Sequence, residues 1–184
     1  MDEQERARLR AAIEAAEGGA PDPAAADALM RRMLTEARTI AIVGASPRPD
    51  RPSHGVLRTL AAAGWQILPV NPMPEALRDG VAGLPCFPTL QAAAASLPVG
   101  QRIDLVDVFR RSEDCEEVAR DAVAIGAAGL WLQLGVISPA AAQIAADAGM
   151  DFVQDRCPAI EMPRLGITGP GRKRSAIALG EEGE

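Results

Sequence analysis

Apolar and polar positions change rhythm from one end of this 184-residue chain to the other. Residues 3–16, rich in Ala, Glu and Arg, predict a helix, and the run Gly18-Gly19-Ala20-Pro21-Asp22-Pro23 breaks it. A second helix is expected over 24–37. There Leu29, Met30, Met33, Leu34 and Ala37 recur at helical spacing and form one apolar stripe. From Thr39 onward, short apolar runs alternate with helical patterns. Strands are predicted over 39–43, 65–70, 104–109, 129–134 and 151–155, with a brief one at 85–87. Helices are predicted over 55–63, 89–96, 112–125 and 138–148. Ser112 and Ser138 are candidate N-caps, and Gly126 and Gly149 follow the last helical residues as stops.

Strands alternating with helices at this spacing predict an α/β protein. Ile40–Val43 and Leu130–Leu134 are almost continuously apolar, as strands covered on both faces must be. The expected fold is Rossmann-like and doubly wound, a mostly parallel sheet with helices on both faces. The expected organisation is an N-terminal helical extension over 1–35, the sheet domain over 36–166, and a flexible Gly-rich, charged tail over 167–184.

The chemistry concentrates where the first strand ends. Val43 is followed by Gly44-Ala45-Ser46-Pro47-Arg48-Pro49-Asp50-Arg51-Pro52-Ser53-His54-Gly55. Glycine permits close approach of a ligand to the backbone, and the free N–H groups of the next helix attract anions. Ser46 and Ser53 offer hydroxyls to a phosphate, and Ser53 is also a candidate cap. In the strand order 3-2-1-4-5-6 the loops after strands one and four diverge around a ligand crevice. That order sets Gly44–His54 against Phe109–Ser112 and brings Arg48 and Arg51 opposite Arg110 and Arg111.

Composition narrows the ligand. Net charge is −6, from 19 basic and 25 acidic residues, which speaks against nucleic acid or an anionic membrane as the main partner. Four arginines at one crevice of an acidic chain suggest a local anion site, with solvated charge or local ion pairing as the alternative for each. No apolar run reaches membrane-spanning length, and the charged start Met1-Asp2-Glu3 lacks a signal-peptide core. Cys86, Cys115 and Cys157 are widely spaced and odd in number; with a single histidine they make a metal site improbable and predict a reducing cytoplasm. Lys173 is the sole lysine, and the triphosphate-binding GxxxxGK[ST] pattern is absent. The GxGxxG fingerprint is absent too. Where NAD-binding strands end in Asp or Glu, the second strand here ends Pro69-Val70-Asn71-Pro72. A ligand with a diphosphate and a further phosphate suits these residues better.

The order of motifs then resembles a known family. Val43-Gly44-Ala45-Ser46-Pro47 with Arg51-Pro52-Ser53, Pro69-Val70-Asn71-Pro72, Val106-Asp107-Val108-Phe109-Arg110-Arg111-Ser112-Glu113, Trp131-Leu132-Gln133-Leu134-Gly135, and Asp155-Arg156-Cys157-Pro158 with Glu161 look like the single-domain CoA-binding proteins. These are similar to the CoA-binding domain of the succinyl-CoA synthetase alpha subunit. The match runs over roughly 36–166. The resemblance implies coenzyme A or an acyl-CoA as ligand, its phosphates in the first loop and the strand-two and strand-four loops beside the nucleotide. It does not imply the synthetase reaction, which needs a phosphorylated histidine in a second domain. The only histidine here is His54, within the first loop.

The candidate ligand-binding residues are thus Gly44, Ala45, Ser46, Arg48, Arg51, Ser53, His54, Asn71, Pro72, Phe109, Arg110, Arg111 and Cys157. Asn71 would offer its amide to the nucleotide, and Phe109 would flank it; Trp131 reads as core. Cys157 reads as buried, with a mixed disulfide to the coenzyme thiol as its functional alternative. Gly44→Val is expected to block the site and leave the fold intact. The expected function is CoA binding without catalysis. The alternatives are an NAD(P)-linked oxidoreductase, or an interaction module in which residues 24–37 dock a protein partner or a second copy.

Overall fold

The computed structural model of the protein describes residues 22–171. The expected helix at 3–16 and the basic run Arg172-Lys173-Arg174 lie outside them. Asp22 opens helix α1 (Pro23–Glu36) by accepting the Ala24 N–H on its side chain, and Pro23 supplies a pre-set first residue. Strand β1 (Thr39–Val43) is buried at every position. Helix α2 (Pro52–Ala63) ends at Gly64 with φ 109°, a left-handed cap that glycine adopts without strain. Strand β2 (Gln66–Val70) follows, then α3 (Pro74–Asp79) and α4 (Leu90–Ala95). Strand β3 (Leu105–Val108) leads through a 3₁₀ turn at Ser112–Asp114 into α5 (Cys115–Ala124). Strand β4 (Gly129–Leu132), α6 (Pro139–Asp147), β5 (Asp151–Val153) and α7 (Pro158–Arg164) complete the described chain.

The five strands pair in the order β2-β1-β3-β4-β5, all parallel. This is the doubly wound α/β architecture that the alternation predicts. The expected brief strand at 85–87 shrinks to one bridge, Phe87 against Val70 on the outer edge of β2. Pro85 and Pro88 flank it and cannot donate to a ladder. Its place beyond β2 is nevertheless that of strand three in the expected order.

Strand alternation divides the core in two. Ile40, Ile42, Leu105, Trp131 and Val153 face a layer that includes Met30, Met33, Leu34, Leu57 and Leu60 of α1 and α2. Ala41, Val43, Val106, Val108, Leu130 and Leu132 face Leu90, Cys115, Ala119, Ala141 and Ala145 of α4, α5 and α6. The apolar stripe of residues 24–37 is therefore part of the domain's own core, with Met30, Met33, Leu34 and Ala37 all buried. This corrects its reading as a docking face. The first residues of the expected tail, 167–171, lie within the described chain and are packed. Ile167 is buried and the Gly171 N–H donates to the Thr35 carbonyl, so the first tail residues pack onto α1.

Candidate functional site

The sheet's carboxyl edge opens between β1 and β3, where the chain after β1 turns toward α2 and the chain after β3 turns toward α5. Gly44 sits at that parting with φ +85°. Its N–H donates to the Val70 carbonyl at 2.8 Å, and the Phe109 N–H donates to the Val43 carbonyl at 2.8 Å. A Cβ on Gly44 would stand 2.3 Å from the Phe109 carbonyl oxygen. The space beside this glycine is thus filled by the opposite loop. Gly44 joins the two walls of the crevice, a structural need that the sequence reading assigned to ligand approach.

The first loop holds itself rigid. Ser53 is 3% exposed, and its hydroxyl accepts the Ser46 N–H at 3.1 Å. The Ser46 hydroxyl accepts the Arg48 N–H, and the His54 Nδ1–H donates to the Ser46 carbonyl at 3.1 Å. The Asn71 amide donates to the Ala45 carbonyl at 2.7 Å and accepts the Met73 N–H at 3.0 Å. Ala45 itself is fully buried. These bonds revise several expectations. Helix α2 begins at Pro52, three residues earlier than predicted, with Arg51 as its N-cap. Ser53 lies inside the first turn and braces the loop instead of capping. The Asn71 amide, expected to face a nucleotide, is used within the protein, while Pro72 beside it is exposed. Ser112 does not cap a helix either; its hydroxyl accepts the Ile137 N–H and ties the β3 loop to the β4 turn.

What the loop presents outward is cationic. Helix α2 starts with neither a side-chain cap nor an acid in its first turn, so no side chain of the helix competes with an anion at its amino end. Of the four arginines, two are locally neutralised. Arg48 pairs with Asp50 at 3.1 Å and holds that carboxyl below its usual range. Arg111 pairs with Glu113 and Asp114, at 3.2 and 3.4 Å. Exposed Arg51 and half-buried Arg110 have no carboxylate partner among the described residues. They are the stronger candidates for phosphate contact.

Beneath the β3–β5 side lies a polar group that the sequence places in a motif without a role of its own. Asp107 is registered between Ile42 of β1 and Trp131 of β4 and is fully buried. Its carboxylate oxygens accept from Gln133 Nε2 at 2.8 and 3.0 Å. Burial drives the Asp107 carboxyl up to about 7, against a smaller opposing effect of that hydrogen bond. A single acid inside Leu105-Val106-Asp107-Val108 was the available signal. Buried Cys157 stands at the start of α7, close enough to Asp107 for that charge to raise its thiol further, although burial is the larger cause. Burial also pushes up Cys86, and raises Cys115 to about 11. All three are thus held as thiols, the less reactive form. Trp131 is core as predicted, its indole N–H donating to the Arg156 carbonyl at 2.8 Å. Phe109 packs half-buried at the crevice wall. The described residues contain no group of three His, Cys, Asp or Glu arranged to hold a metal ion. None of their helices is long and apolar enough to cross a membrane.

Known proteins share both the sequence and the fold. The chain is 36% identical over 129 residues to the uncharacterized protein YneT of Bacillus subtilis (strain 168), spanning 70% of this chain and 87% of that one. A hypothetical protein from Pyrococcus horikoshii OT3 superposes with a TM-score of 0.65 at 33% identity, covering 76% of this chain and 91% of that one. Cell-free ID.343 from Thermus thermophilus gives a TM-score of 0.66 at 32% identity, covering 76% and 98%. Residues 38–163 match the family described as CoA binding domain, a span from the start of β1 to the last turn of α7. With the doubly wound sheet and the Gly44 junction in place, the chain belongs to the CoA-binding domain family.

Proposed function

We propose that the crevice between the β1 and β3 loops binds coenzyme A or an acyl-CoA, and that the chain binds this ligand without transforming it. The observation that carries the reading is the uncapped amino end of α2, with Arg51 at its N-cap position, set behind a braced loop and facing the β3 loop that carries Arg110. Membership of the CoA-binding domain family supports the same ligand. Coenzyme A carries a diphosphate and a separate ribose phosphate, so it needs several cationic contacts at one place. A helix end contributes roughly 0.3–1 kcal/mol to each such contact when exposed, and a charge-assisted bond to arginine about 1.5–3 kcal/mol. Arg48, Arg111, Ser46 and Pro72 line the approach, while Gly44, Ala45, Ser53, His54 and Asn71 fix its shape.

A thermal-shift panel tests this. A ligand at a hundred times its Kd stabilises the folded state by about 2.7 kcal/mol. For a chain of this size that is a rise in Tm of roughly 5–10 °C. CoA should give such a rise, and NADH and ATP should not. Arg51→Ala and Arg110→Ala should each weaken CoA binding about five-fold or more. Stabilisation by NADH and not by CoA would reject the proposal in favour of a dinucleotide enzyme.

A further inference from the structure

The large apolar side chains left exposed are unevenly distributed. Seven are found among the described residues: Met73, Leu77, Val99, Val123, Leu134, Ile137 and Ile160. Only Val99, in the turn before β3, and Val123, at the end of α5, lie toward the sheet's amino edge. The other five lie at the carboxyl edge, around the crevice. Met73 and Leu77 stand on the β2 side; Leu134, Ile137 and Ile160 stand on the β4–β5 side, each 51% exposed or more.

The β4–β5 group is held in place, not left on loose chain. The Gly135 N–H donates to Asp155 at 2.8 Å, and the Asp155 N–H donates back to the Val136 carbonyl at 3.3 Å. Asp155 adopts φ 53°, a left-handed conformation costly for most side chains, and that pair of bonds holds it there. The turn carrying Leu134 and Ile137 is thereby fixed to the segment that leads into α7 and Ile160. Below this rim sits the buried cluster of Asp107, Gln133 and Cys157.

The inference rests on the coenzyme reading above and concerns the other end of the ligand. We propose that the β4–β5 side of the carboxyl edge receives the acyl end of a CoA thioester, and that the acyl group it takes is uncharged and apolar. Leu134, Ile137 and Ile160 would cover the acyl chain, with Gln133 at its base. The electrostatics agree. Among the described residues Asp107 forms no ion pair, and Arg156 and Arg164 are engaged by buried Glu161. An acyl group bearing its own carboxylate would add negative charge beside Asp107 and Glu161, while the two arginines outside ion pairs, Arg51 and Arg110, are assigned to the phosphates in the coenzyme reading. A thioester of a dicarboxylic acid is therefore disfavoured.

The test is a calorimetric titration of the full chain with CoA, hexanoyl-CoA and succinyl-CoA, repeated on a Leu134→Ser/Ile137→Ser/Ile160→Ser variant. These side chains are exposed, so the variant should fold. Hexanoyl-CoA is expected to bind wild type about ten-fold tighter than CoA, and succinyl-CoA no tighter than CoA. In the variant CoA affinity should hold within about two-fold while the hexanoyl advantage disappears. Equal affinity for CoA and hexanoyl-CoA, a preference for succinyl-CoA, or an advantage that survives the triple substitution would each overturn the assignment. So would sedimentation showing a wild-type dimer, a monomeric variant and no hexanoyl preference, which would mark the rim as a contact between copies. If none of the three ligands binds, the coenzyme reading itself fails.

Discussion

Single residues set the limits of this site. Gly44 combines a positive φ with a carbonyl oxygen where its Cβ would be, so any side chain there is strained twice. Gly44→Val should lower stability by at least about 2 kcal/mol, an order of magnitude drawn from left-handed strain and overpacking. Chemical denaturation would show it, and an unchanged midpoint would refute the junction. The earlier expectation, lost binding in an intact fold, is replaced. Asp107 gives a pH-dependent counterpart. Its folded carboxyl is raised to about 7, whereas an unfolded Asp titrates near 3.9. The folded state thus holds this proton more tightly. The stabilising contribution is complete below about pH 4 and is lost as pH climbs through 7, at about 1.4 kcal/mol per pH unit across that window. Asp107→Asn removes the titration, so its melting temperature relative to wild type should improve from pH 5 to about pH 7 and level off above that. A difference that does not move with pH would contradict the buried, unpaired carboxyl.

At the scale of elements, the crevice depends on helices that reach it from one face. Arg164 of α7 bridges Asp27 of α1 and Glu161 of its own helix, and Arg156 approaches Glu161 from the preceding loop at 3.7 Å. Glu161 is buried, so Glu161→Ala would leave two half-exposed arginines without it and loosen α1 against α7. We expect a loss of about 1–3 kcal/mol in urea denaturation, below the full cost of breaking a wholly buried pair because the arginines still meet solvent. Much of this layer was legible in the sequence. The stripe of Met30, Met33 and Leu34 gave α1, and Ser138-Pro139 gave the start of α6, where the Ser138 hydroxyl accepts the Ala141 N–H at 3.2 Å. What was not legible depended on distant partners. Ser53 and Ser112 carry the chemistry of caps, yet the Ser53 hydroxyl accepts from Ser46 within its own loop and the Ser112 hydroxyl accepts from Ile137 across the fold. Helix α3 was missed because Pro72, Pro74 and Gly80 make so short a segment look like loop.

The whole molecule is a topology that makes one edge chemically distinct. Order β2-β1-β3-β4-β5 parts the loops after β1 and β3, and the bridge at Phe87 preserves the expected third position beyond β2. Alternation of apolar runs was enough to foresee this, and motif order was enough to foresee the family. Strand ends were overestimated after β4 and β5. Gln133 and Asp155 look like strand continuations in sequence, but they turn away to hold Asp107 and the Gly135 N–H. The polar floor of the site was hidden for the same reason, since nothing local announces a pairing between residues 107 and 133. The central claim, that the crevice between the β1 and β3 loops is where coenzyme A binds, is tested most directly by titrating the isotopically labelled chain with CoA and following backbone amide resonances. The account predicts saturable shifts concentrated at Gly44–His54 and Phe109–Ser112, with smaller ones at Gln133–Val136. Shifts confined to the outer face of α2 around Arg58 and Ala62, or none at all, would contradict it.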